Sequence, residues 1–263
     1  MRWLLLIIPA AAWCATPNDT RELVRQSIQN GQKAWQVSTE YACTKRVLSR
    51  QFAGLGEIKS SSDDLYSIVP LGNGASFSEH IKHDGEPVSA EVRQKTKREL
   101  QKLLAELPSA KRHRFEKELA ERSYMIEVPD AFNFRITGTQ NLPTGPAWVL
   151  EAMPRPGFEP KSRYAHIFPK MHGTLWIDQK DVQWVKADAV ATENISFGLF
   201  IARLAKGSHI LLEQTRLPDG EWVPQSLEAK AAARTFLFFA HNFEEQYTYS
   251  EYHKPNPLQA AAR

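Results

Sequence analysis

The sequence predicts a mainly β, α+β protein: an antiparallel sheet curled into an incomplete barrel, with an N-terminal helix and a charged helical insertion. Three observations predict it. After Pro129, pairs of β-branched and aromatic runs recur with turn-forming residues between them, the pattern of successive hairpins. A helical period shows only near the N-terminus and in one charged stretch near the middle. No glycine-rich phosphate loop and no alternation of strands with helices occurs, which argues against a nucleotide-binding α/β fold.

The chain opens on Arg2 and the apolar run Trp3 to Ala12, followed by small residues at plausible cleavage positions. This is the pattern of a secretory signal over residues 1–15, and it falls short of the roughly 20 apolar residues that span a bilayer. The expected location is therefore periplasmic or secreted. Cys14 and Cys43 are the two cysteines. Cleavage after Ala12 keeps both, and they could form one disulfide; later cleavage leaves Cys43 as a lone thiol. Lipidation of Cys14 is a third reading, against which Trp13 stands where a small residue is wanted.

Asp19 is expected to cap a helix, with Glu22 three residues on. Val24, Ile28, Gly31 and Trp35 then fall on one helical face, and the helix should end near Gln36. Tyr41 to Phe52 reads as a strand ending at the turn Gly54-Leu55-Gly56. Leu65–Pro70 and Ser76–Lys82 read as two more, the second closing at His83-Asp84-Gly85. From Glu91 to Ser123, ten Lys or Arg stand against six Asp or Glu, a net +4, with Leu100, Leu103, Leu104 and Leu107 at helical spacing. Pro108 divides this charged insertion into two helices. It reads as a solvated face laced by ion pairs, or as a basic arm toward an anionic membrane or partner.

Four hairpins follow. Phe134–Ile136 and Trp148–Leu150 flank Pro143 to Pro146; Thr174–Ile177 and Val182–Val185 flank Asp178 to Asp181. Ile210–Thr215 and Trp222–Glu228 flank Leu217 to Gly220, and Phe236–Phe239 and Glu245–Tyr252 flank Asn242.

Composition excludes some functions. A net charge of +3 with 24% charged residues gives no electrostatic footprint for nucleic acid. Eight histidines invite a metal search. His80 and His83 are three apart, an odd offset that sends strand side chains to opposite faces. His166 and His172 bracket a proline, and no HExxH, paired Cys or His-x-His occurs, so no metal and no cofactor is expected. No Gly-x-Ser-x-Gly elbow is present, and the acid pairs Asp63-Asp64 and Glu244-Glu245 should face apart, so no catalytic residue is assigned.

Two segments remain. Ile195 to Leu204 is almost wholly apolar: a short helix or bend plugged into the core, or a mobile lid or membrane-touching edge. Met153 to Arg163 is a proline-stiffened loop whose Arg155, Lys161 and Arg163 could meet an anionic headgroup or partner, or form an ordinary surface loop.

Gly173-Thr174-Leu175-Trp176-Ile177-Asp178, followed by Trp184-Val185-Lys186-Ala187-Asp188, resembles the strand–turn–strand of the outer-membrane lipoprotein carrier and sorting family. Residues 154–225 also resemble uncharacterised exported bacterial proteins grouped with it. The resemblance implies one half-barrel domain over residues 16–254, with an insertion at 88–126 and a tail at 255–263. It implies a non-catalytic carrier whose apolar cavity holds an acyl chain of a lipid or an acylated protein. Such a cavity need only match the membrane's gain of about 0.8 kcal/mol per methylene. Leu175, Ile177, Trp184, Phe197, Phe200, Ile210, Leu212, Phe236 and Phe238 are the candidate lining, with the concave face left open. An envelope interaction module on a filled core, and a hydrolase with a dispersed site, are the rival readings. Oligomeric state is left unassigned.

Overall fold

The computed structural model describes residues 17–53, 57–72, 74–197, 202–235 and 239–255. The amphipathic period near the N-terminus forms α1 (Pro17–Ser38). It begins two residues before the expected cap: Asp19 lies inside the first turn, where a carboxylate favours the positive end of the helix dipole. Val24 and Ile28 are buried as its periodic face requires. Gly31 lets the helix backbone approach the sheet, since a Cβ there would sit 2.2 Å from Nε1 of Trp184.

Four strands follow: β1 (Ala42–Phe52), β2 (Ile58–Gly72), β3 (Ala75–His83) and the short β4 (Glu86–Pro87). The Asp84-Gly85 turn joins β3 to β4 with positive φ at both residues, 49° and 85°. The expected Gly54-Leu55-Gly56 turn lies outside the described residues. The charged insertion forms α2 (Ala90–Leu104) and α3 (Pro108–Arg122), split at Pro108 as its position predicts. Ser89 caps α2 by accepting from the Val92 amide, and Leu100 packs on Leu71 and Ala75 at the tip of the β2–β3 hairpin. A 3₁₀ turn (Ser123–Glu127) and α4 (Val128–Ala131) lead back to the sheet.

The remaining elements are β5 (Phe132–Leu142), β6 (Gly145–Pro154), a 3₁₀ helix (Tyr164–Lys170), β7 (Met171–Asp178) and β8 (Trp184–Ala191). After them come β9 (Ile195–Phe197), β10 (Ala202–Leu204), β11 (His209–Arg216), β12 (Trp222–Thr235) and β13 (Phe239–His253). Eleven of these strands form one antiparallel path, β4-β3-β2-β1-β13-β12-β11-β8-β7-β6-β5. Among the described residues both ends are free edges, so the sheet is an open curl and not a closed barrel. The pairing of β13 with β1 joins the chain's two ends and welds the N-terminal strands to the later hairpins.

Two expectations are corrected. At its described ends, 195–197 and 202–204, the apolar stretch is strand and not helix: β9 and β10 pair with each other, and β10 also pairs with β12. Its first residue, Ile195, is buried against Met171 and Ala191. Asn242 is not a turn but a ladder residue, opposite Ala232 on one side and Phe52 on the other. Strands on both flanks continue past it, so pairing overrides the local turn preference of asparagine. Phe236 and Phe238 lie outside the described residues.

The two faces of the sheet differ. On the outer face ion pairs recur: Arg46–Asp63, Lys186–Glu213 and Lys230–Glu244. The inner face carries α1, which touches β5, β8 and β12. Val24 and Ile28 meet Leu150, Leu175 and Ile177 there, with Trp148, Trp184 and Ala187 around them. Burying each of these aliphatic side chains contributes about 1.5–3 kcal/mol.

Candidate inner-face binding site

Directly opposed residues of antiparallel strands share a face, about 5 Å apart. The registers therefore trace one row across ten strands: Ile136, Leu150, Leu175, Ala187, Leu212, Leu227, Tyr247, Val47, Asp64 and His83. A parallel row runs Gly173, Ala189, Ile210, Ala229, Glu245, Ser49 and Ser62. Leu175, Ile177, Trp184, Ile210 and Leu212, five of the candidate lining residues, thus share the inner face. The side chain of Phe197 and the whole of Phe200 lie outside the described set.

The inner face changes character along its row. At the β6–β7 end Leu150 and Ile177 are fully buried beneath α1. From β11 onward Ile210, Leu212, Leu227, Tyr247 and Val47 are half-buried. Beyond Val47 the face becomes polar and aromatic. The Lys45 ammonium lies 4.6 Å from the Tyr66 ring centroid and donates to the Ser78 hydroxyl at 3.2 Å. Burial pushes the Cys43 thiol up to about 11, and burial with neighbouring Cys43 raises Tyr249 as well. A thiol held protonated in this way is a packing group, not a nucleophile. Above this region Arg122 of α3 lies over the Trp35 ring, and Phe115 stacks on the same indole.

A groove of about 470 Å³ opens elsewhere, around Lys186, Glu213, Arg216, Gln225 and the 142–144 loop. Lys186 and Glu213 belong to the outer face, so this groove is distinct from the apolar interior expected inside the curl; its walls mix these charges with Leu142, Val185 and Leu217.

The basic loop is pinned. Glu127, buried, accepts from the backbone amides of Lys161 at 2.8 Å and Ser162 at 2.9 Å. Burial alone would raise its carboxyl, but the bonds to Ser162 and Lys161 outweigh this and hold it below the usual carboxylate range. Arg155, Lys161 and Arg163 remain exposed on the ordered loop. Its far end becomes the 3₁₀ helix whose Ala165 and Phe168 pack on Phe132 and Ala152.

The acid pairs divide as their adjacency predicts: Asp63 meets Arg46 and Asp64 meets two histidines, Glu244 meets Lys230 and Glu245 meets Tyr247. The histidine expectation is corrected. Leu65 opposes Lys82 while Tyr66 opposes His80, so Ile81 is an extra residue in a bulge. The bulge resets the alternation of β3 and brings His80 and His83 together, their ring centroids 6.3 Å apart, both against Asp64. An odd offset in sequence gives no sign of such a bulge.

The fold and site thus define an open antiparallel sheet whose inner face is partly filled by its own N-terminal helix. No family model and no curated protein matches the chain. Among solved structures it is similar to a putative outer membrane lipoprotein-sorting protein domain from Vibrio parahaemolyticus. The identity is 9%, over 88% of this chain and 92% of that one, with a TM-score of 0.30. A LolA superfamily protein from Nitrosomonas europaea aligns at 9% identity over 86% and 94%, with a TM-score of 0.27. MucB, in its complex with MucA, aligns at 10% identity over 86% and 94%, also at 0.27. The first two are of the class that Gly173–Asp178 and Trp184–Asp188 resemble. At these scores the likenesses carry no argument about ligand or partner. No helix among the described residues is long and apolar enough to cross a membrane.

Proposed function

We propose that this chain is a non-catalytic binding protein of the bacterial cell envelope that holds the acyl chain of a lipid or of an acylated protein against its inner face. The observation that carries this reading is the half-buried apolar run Ile210, Leu212, Leu227, Val47, with Tyr247, continuing the row that α1 seals at its other end. An acyl chain laid along it gains about 0.8 kcal/mol per methylene removed from water, and finds hydroxyl groups at the polar end for its head. The N-terminal export pattern supports the compartment. Arg155, Lys161 and Arg163, beside β5 and β6 and so away from that polar end, are the cations proposed to meet a membrane headgroup or a partner, on a loop whose backbone Glu127 fixes in advance.

A second reading, an envelope interaction module on a filled core, is favoured by one specific observation. Leu175, Ile177 and Trp184 are packed against α1, so the helix occupies the space beside them. Native mass spectrometry of the protein as isolated separates the two. Co-purifying mass of a lipid, or uptake of added fatty acid, supports the carrier. A bare protein that takes up neither supports the module.

A further inference from the structure

We propose that Asp64, His80 and His83 form a binding site for a divalent transition-metal ion, zinc being the best match to their donor set. One ligand atom from each residue lies within 4.8 Å of the other two. Nε2 of His80 and Nδ1 of His83 approach the same carboxylate oxygen of Asp64, at 2.9 and 2.7 Å. Zinc binds imidazole nitrogen and carboxylate oxygen at about 2.0–2.2 Å. Around a tetrahedral ion, neighbouring donors therefore stand roughly 3.3 Å apart, so the two contacts to Asp64 need widen only by about half an ångström, while the two histidine nitrogens start within 4.8 Å of each other. Two imidazoles with one carboxylate suit zinc and its borderline neighbours rather than calcium or magnesium, which take oxygen donors.

The surroundings are those of an oriented metal ligand set. The far nitrogen of His83, Nε2, faces a second carboxylate: Oδ2 of Asp84 stands 3.6 Å away. Asp84 is itself fixed, because its other oxygen accepts from the Asp63 amide at 2.8 Å. The Ser62 hydroxyl donates to the free oxygen of Asp64 at 3.0 Å. The His80 ring stacks on Tyr66 at a centroid distance of 4.7 Å. Such outer contacts set the tautomer and the direction of ligating side chains. His80 Nε2 also lies 2.8 Å from the Lys82 carbonyl, a contact that ligation would replace.

A single surface ion pair would need none of this. The bulge at Ile81 interrupts a ladder in order to bring a second imidazole to the same carboxylate, and bulges recur where a side chain must be re-aimed. The side chain of Asp64 is 15% exposed and that of His83 58%, so one flank stays open for water or a partner's donor as a fourth ligand. Protons compete with the ion for nitrogen ligands, so affinity weakens as pH is lowered. The inference is independent of whether the inner face carries lipid.

The test is titration of tag-free, chelator-stripped protein with Co²⁺, followed by displacement with Zn²⁺. The expected result is a saturable visible d–d absorption typical of nitrogen and oxygen donors, without thiolate charge transfer, and abolished by one equivalent of zinc. Asp64→Asn and His83→Asn should each weaken binding at least about tenfold. His209→Asn, altering a histidine that pairs instead with Asp188 at 2.8 Å, should leave it unchanged. Circular dichroism of the metal-free variants verifies folding, and exposed His83 carries the test if Asp64→Asn fails to fold. Absence of a saturable band, or an equal band in His83→Asn, overturns the site.

Discussion

The two ends of the inner face are built from the same kind of ladder yet do different things. On β6 and β7, Leu150, Leu175 and Ile177 meet Val24 and Ile28 of α1 and are shut from water. On β11, β12, β13 and β1, the same cross-strand row continues through Leu212, Leu227, Tyr247 and Val47 at half burial. One face therefore serves as a core at one end and as an accessible surface at the other. The lesson is that register alone does not decide whether a strand residue is sealed or left accessible. What lies above it decides, and here that is α1, with Met125 and Val128 beside it.

Mutation at matched positions is the sharpest way to break this comparison. Leu150→Ala should cost about 2–5 kcal/mol, because a cavity opens beneath α1. Leu227→Ala, on the same row but half-buried, should cost about 1 kcal/mol or less. Denaturant midpoints for the two variants check this, and equal losses would erase the distinction between the halves.

Gly31→Ala probes the lid of the sealed end. The new Cβ would fall 2.2 Å from Nε1 of Trp184, so the indole must move, at about 1–3 kcal/mol. A lowered midpoint together with a shift in tryptophan emission is the expected signature.

An effect of similar size, but dependent on pH, is expected at Glu127. Glu127→Gln should cost about 1–3 kcal/mol at neutral pH by weakening the grip on the Lys161 and Ser162 amides. The folded carboxyl lies below its ordinary value, so its contribution is complete above about pH 4.5 and is lost as pH falls through the lower folded value. The difference between wild type and variant should therefore shrink on acidification. Hydrogen exchange at the two amides, followed across that range, checks it.

Much of the fold was legible because hairpins announce themselves locally. The turn after Asp178 was readable from a dozen residues, although it runs on through Val182 and Gln183, so β8 starts two residues later than expected; the split of the insertion at Pro108 was equally readable. The joining of β13 to β1 was not, since the partners stand at opposite ends of the chain and no local signal links Val47 to Tyr247. The described ends of the Ile195 to Leu204 run misled because an apolar run is ambiguous between helix and strand without its neighbours. The candidate site divides the same way. Leu175, Ile177, Ile210 and Leu212 were correctly grouped as apolar strand residues, but which were sealed depended on where α1 docks. The pairing of His80 with His83 was hidden by one extra residue in a strand, which inverts every face assignment after it.

The claim that the β11–β13–β1 stretch is a binding surface is tested most directly by fluorescent fatty-acid titration of the wild type beside Leu212→Asp/Leu227→Asp. Saturable uptake by the wild type, lost at least about tenfold in a double variant that keeps its far-ultraviolet spectrum, is the expected result. Uptake by neither protein, or equal uptake by both, would contradict it.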